Sequence, residues 1–168
     1  MAGRIRRRGV HACARPDTPA EQVWAAGADT VAEKIYGPHF EELARQWCFE
    51  HAAPETSGGR ASWVRPTEIA CREHRRGHEL DLVVAESPAF GTERITAIGE
   101  AKGTATPVGL PQLERLEHLR GLLPSARVGA LLELLIFARS GFTNDLRREA
   151  GRRNDVELVD LGRLYQGE

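Results

Sequence analysis

Residues 130–138 read Ala-Leu-Leu-Glu-Leu-Leu-Ile-Phe-Ala, with Glu133 the only polar side chain among them. A run this apolar shows no inside–outside alternation, so a strand made of it needs cover on both faces. It is far shorter than the ~20 residues that a membrane-spanning helix requires. The segments beside it supply the cover. Pro111 to Leu123 places Leu113, Leu116, Leu119 and Leu123 on one helical face and stops at Pro124. Thr143 to about Arg152 reads as a shorter helix, followed by a strand at Val156–Val159. Strand, helix, strand in that order implies parallel crossovers in a sheet with helices on both sides.

The first half of the chain has a different grammar. Thr18-Pro19-Ala20-Glu21 looks like a capping box that opens a helix to about Ile35, and Gly37-Pro38 should break it and start another. In that second helix Phe40, Leu43, Ala44, Trp47 and His51 recur at helical spacing and should be buried. Pro54–Gly59 reads as a loop. Trp63–Cys71, Glu79–Ala85 and Arg94–Lys102 read as three strands, with a polar turn through Arg75-Arg76-Gly77 and another at Ser87–Gly91. The expected fold is therefore α/β, a mixed central sheet flanked by helices. At 168 residues it forms one domain with a real core.

Chemistry concentrates at the end of the third strand. Glu100-Ala101-Lys102 closes the apolar run Ile95–Gly99 and follows Asp81, in Leu80–Val84, by 19 residues. Residues i and i+2 of a strand share a face, so Glu100 and Lys102 project together, and Asp81 joins them if the two strands pair. Such carboxylates suit Mg²⁺ or Mn²⁺, which takes one or two protein carboxylates and keeps several waters. The Ala101 carbonyl is a further oxygen within reach. An isolated Glu-x-Lys is more often a surface ion pair, but composition adds weight here. Of 23 basic residues only Lys34 and Lys102 are lysines. Lysine is a compact charge whose pKa can shift, which a guanidinium cannot match.

These segments resemble the PD-(D/E)xK nuclease superfamily, whose motif falls on Leu80-Asp81 and Glu100-Ala101-Lys102, with Glu41 matching the acidic residue of the first core helix. More closely, Gly37–Leu43, His78–Val83, Ile98–Lys102 and Phe137–Phe142 look like segments of the C-terminal domain of archaeal-type P-loop ATPases. The likeness covers about 21–165. It implies a restriction-endonuclease-like fold over 17–168 and Mg²⁺- or Mn²⁺-dependent hydrolysis of DNA. Asp81, Glu100 and the Ala101 carbonyl would bind metal, Lys102 would activate water and Glu41 would assist. The chain lacks the GxxxxGK[ST] loop of an ATPase module. The partners implied are DNA, a separately encoded P-loop ATPase and a second copy of this chain.

Residues 1–16, with five arginines and no acid, read as a disordered basic arm and not as a secretory signal. Arg75 and Arg76 in the hairpin turn, and Gln112 at the start of the helix after the motif, are candidate nucleic-acid contacts. Solvated arginines and a simple helix-start glutamine would look the same. Cys13, Cys48 and Cys71 form no CxxC pair, which fits a reducing cytoplasm better than a zinc site or disulfide framework. Two other functions fit the fold: a catalytically silent module that binds nucleic acid or regulates an ATPase, and a protein-contact domain. The last predicts an acidic cluster that is salt-bridged and closed to solvent.

Overall fold

The computed structural model describes Pro19, Glu21 and residues 31–71, 76–89 and 91–166. The basic arm, most of the expected first helix, Trp24 and Arg75 lie outside the described residues. The rest is an α/β domain around a five-stranded sheet of order β1-β2-β3-β4-β5: β1 Trp63–Cys71, β2 Arg76–Glu86, β3 Arg94–Lys102, β4 Val128–Ala138 and β5 Val156–Asp160. The first three strands are antiparallel and the last two join in parallel. Hairpin strands followed by crossovers are as the sequence implied.

Helices α1 (Gly37–Glu50) and α5 (Leu161–Gln166) cover one face; α3 (Leu110–Leu122) and α4 (Asn144–Ala150) cover the other. The interior of β4 explains its lack of alternation. Leu134 and Ile136 pack under α3 and α4, while Leu135 and Phe137 pack under α1. Trp47 of α1 meets Phe137 edge to face at 5.8 Å between ring centroids. Glu133, the polar exception, is 6% exposed. Burial first, then the charges of Asp155 and Glu157, hold its carboxyl pKa above the usual range.

Several local expectations need correcting. The break at Gly37-Pro38 is a π-helical segment, Ala32–Tyr36, that runs straight into α1. Pro38 has no N–H to donate to the carbonyl of residue 34 and its ring crowds that turn, so the helix widens instead of stopping. His51 is the exposed C-cap, and Cys48 takes the core position expected of it. Pro54–Ser57 is a short helix, α2, with Thr56 and Ser57 buried. Arg76 opens β2 and does not sit in the turn, and β4 starts at Val128. Among the described residues no helix is long and apolar enough to cross a membrane.

An ionic clamp holds α3 to the β4–β5 side. Arg153 grips Asp155 through Nε to Oδ1 and Nη2 to Oδ2, both at 2.8 Å, and also pairs with Glu117 of α3. Arg120 Nη1 adds a 2.7 Å bond to Asp155 Oδ2. These donors hold the Asp155 carboxyl well below the usual carboxylate pKa. A pKa depressed by folding stabilises above the unfolded value and is lost as pH falls. Asp155→Asn should cost about 1–2 kcal/mol at pH 7. In urea melts the difference from wild type should shrink below about pH 4, the ordinary aspartate pKa.

Candidate functional site

The site begins where two strands part. The β2–β3 ladder runs from Glu86↔Arg94 to Leu82↔Gly99, while β2 continues beside β1 as far as Arg76. Pro66 lies in the register shift between Arg65 and Thr67 of β1. A proline cannot donate to a ladder, and bulges bend the strand that carries them. Beyond Leu82 the hairpin is thus paired with itself and not with β3. Separation of this kind leaves backbone groups without ladder partners, and buried ones must find substitutes.

Side chains supply them. Asp81 Oδ2 accepts the Ala101 N–H at 2.8 Å. Arg45 of α1 donates Nη1 to the Asp81 carbonyl at 2.7 Å, and Arg115 of α3 donates Nη2 to the Glu79 carbonyl at 2.7 Å. The N–H and C=O of one strand residue point the same way, and those of the next residue the opposite way. The carbonyl of Lys102 accepts from Arg139 N–H on the β4 side, at 3.1 Å. The Ala101 carbonyl therefore points with its N–H towards Asp81.

Glu100 is 3% exposed. Lys102 Nζ donates to its Oε1 at 2.5 Å, and Arg115 Nη1 stands 3.6 Å from its Oε2. That last pair is too far apart to be a hydrogen bond, and both atoms are buried without a partner. The preceding residue must be glycine. A Cβ on Gly99 would lie 2.7 Å from the Leu135 carbonyl oxygen and 2.8 Å from Leu82 Cδ1, so Gly99 lets β3 sit tightly between β2 and β4 while it presents Glu100.

Glu41 completes the group from α1. Burial first, then the Asp81 charge, push its carboxyl pKa up; Arg45 and Lys102 pull it down, and Glu100 adds to the rise. Glu41, Arg45, Glu68, Glu79 and Asp81 line a cleft of about 330 Å³ along the parted hairpin. The four expected catalytic residues thus share one neighbourhood, but only Glu41 and Asp81 line the cleft. Glu100 is buried and does not line it, and Lys102 and Arg115 stand against its carboxylate. Gln112 is half-buried in the first turn of α3 and donates its N–H to the Gly109 carbonyl at 3.3 Å. The side chain of Arg76, like Arg75, lies outside the described residues.

Arg115 and Arg45 were not read from the sequence. Each stands next to a buried helical residue, Leu116 and Ala44, which was the only local signal. Among the described residues no group of three or more His, Cys, Asp and Glu side chains is placed to hold a metal ion. A hard cation that keeps its waters needs fewer protein ligands, one or two carboxylates. Glu100 Oε2 has no hydrogen-bond partner and Asp81 has a second oxygen beyond the one bound to Ala101; with the Ala101 carbonyl, these are the oxygens that could hold such an ion. Comparisons with protein families, with characterised proteins and with solved structures find no match.

The rise in the Glu41 pKa has a consequence for stability. A carboxyl raised by folding costs stability while ionised, and that cost disappears as pH falls through the folded value towards the unfolded one. Glu41→Gln should therefore melt higher than wild type at pH 7–8. The gain should fade near pH 4–5, around the ordinary glutamate value of about 4.3. Thermal melts of both proteins across that range check it; a gain that grows on acidification would be the wrong sign.

Proposed function

We propose that this chain is a nuclease of restriction-endonuclease-like fold that hydrolyses phosphodiester bonds of DNA with Mg²⁺ or Mn²⁺. One observation carries the reading. The Asp81 carboxylate is fixed on the peptide between Glu100 and Lys102, at the mouth of an acidic cleft made where two strands part. Asp81, Glu100 and the Ala101 carbonyl would hold the cation. When bound, it supplies positive charge against the negative charge that builds on the phosphate.

The chain's own residues do the rest. Lys102 releases Glu100 and turns Nζ to the attacking water, which it orients and from which it draws charge. Arg115 then remains as the counter-charge that keeps Glu100 in place. Glu41, with its raised pKa, accepts or returns a proton at the edge of the cleft. Arg45 fixes the backbone of Asp81, so the carboxylate keeps its aim.

A second reading has its own support. Glu100 is buried and paired with two cations, as expected for a catalytically silent domain made for protein contacts, which uses these charges as struts. Cleavage separates the two. Incubation with supercoiled, linear and branched DNA plus Mg²⁺ or Mn²⁺ should give cutting by the wild type. Lys102→Ala should lower the rate about 10²–10⁴-fold, the worth of a positioned proton-transfer group. Lys102→Arg should be nearly as poor, because the bulkier planar guanidinium cannot take the place of a compact ammonium beside the water. Near-normal cutting by Lys102→Arg would reduce Lys102 to a counter-ion. No cutting of any substrate would favour the silent domain.

A further inference from the structure

Another cavity, of about 270 Å³, opens at the carboxyl ends of the parallel strands. Its walls include Tyr36, His39, Phe40, Arg139, Leu161 and Tyr165. Ligand pockets start at roughly 300 Å³, so this one suits a single ring system and not a helix or an extended peptide. Its lining is unusual for an exposed surface. Tyr165 is 78% and Tyr36 42% exposed, and the Arg139 guanidinium stands over the Tyr36 ring, 5.0 Å from its centroid. Aromatic faces beside a guanidinium offer stacking, cation–π contact and charge for a phosphate together.

Position supplies the second argument. Phe40, in the wall, precedes Glu41 of the cleft. Arg139 follows β4 and bonds through its N–H to the carbonyl of Lys102. Its Nη1 reaches the Gly103 carbonyl at 3.5 Å. At Gly103 the end of β3 meets α1 so closely that a Cβ would lie 3.1 Å from the Tyr36 carbonyl oxygen and 3.3 Å from Phe40 Cβ. The cavity and the candidate catalytic groups are therefore fixed to one another through the start of α1 and the ends of β3 and β4.

The geometry points to a binding pocket for one unstacked nucleobase of the strand being cut, so that the substrate class is DNA with unpaired nucleotides next to the scissile phosphate. This rests on the nuclease reading and narrows it. The base slides between Tyr165 and Tyr36, and Arg139 meets the adjoining phosphate. A base held in a duplex cannot enter unless it leaves its stack, which costs free energy and disfavours fully paired DNA.

Binding measured in EDTA tests this apart from cleavage. The full chain is titrated into fluorescently labelled oligothymidylate, a blunt duplex of equal length, and a backbone-only strand of abasic residues. Oligothymidylate should bind most tightly. Tyr165→Ala should weaken it on the order of tenfold, the loss of one stack, and Tyr165→Phe should restore it. The abasic strand should bind wild type as weakly as oligothymidylate binds Tyr165→Ala. Equal binding of thymidylate and abasic strands, no effect of Tyr165→Ala, or preference for the duplex would overturn the pocket. That includes the case in which the cavity takes a protein side chain instead. The separate Mg²⁺ assay keeps failures distinct: stacking without cutting removes the nuclease and leaves the pocket, and cutting without stacking does the reverse.

Discussion

The parting of β2 from β3 beyond Leu82↔Gly99 is the constraint on which the rest depends. Strands that separate inside a domain leave polar backbone groups to be paired, and the pairings here bring charged side chains to the cleft. Asp81 is held at the cleft because it replaces a ladder acceptor for Ala101. Arg45 and Arg115 are drawn in because the carbonyls of Asp81 and Glu79 need donors. The same parting puts Glu100 at the end of a buried strand, where a carboxylate is costly unless cations stand next to it. Lys102 and Arg115 meet that need.

Such an arrangement is a compromise between stability and chemistry. Clustered carboxylates repel, and the raised Glu41 pKa records part of that cost. Stability is recovered elsewhere: in the two-sided core of β4, in the Trp47–Phe137 contact and in the Arg153–Asp155 clamp on the far side of α3. Leu80 is where that core meets the wall of the cleft.

The main lines of this fold were legible because they follow from local pattern. The bounds of β1 and β3 match the expected runs residue for residue, and the unbroken apolar run of β4 announced its double cover. The meeting of Glu41, Asp81, Glu100 and Lys102 in one neighbourhood followed from strand periodicity and element order. What stayed hidden depends on distant partners. Arg115 and Arg45 matter only because another element loses its ladder, and nothing within a few residues of either reports that. Asp155 and Arg153 fall between the expected helix and the strand at Val156, and nothing local reports their pairing with Glu117 and Arg120. The π segment at Ala32–Tyr36 arose because Pro38 widened the helix where proline usually ends one.

The proposed cation site is built on Asp81 and Glu100, where the strand pair opens. Titrating the full chain into Mn²⁺, while following the electron paramagnetic resonance signal of the free ion, tests it without any nucleic acid. The account predicts that wild type removes free Mn²⁺ with saturation, that Asp81→Asn and Glu100→Gln do not, and that Lys102→Ala still does. Wild type that leaves the signal untouched, or Asp81→Asn that binds as tightly as wild type, would contradict it.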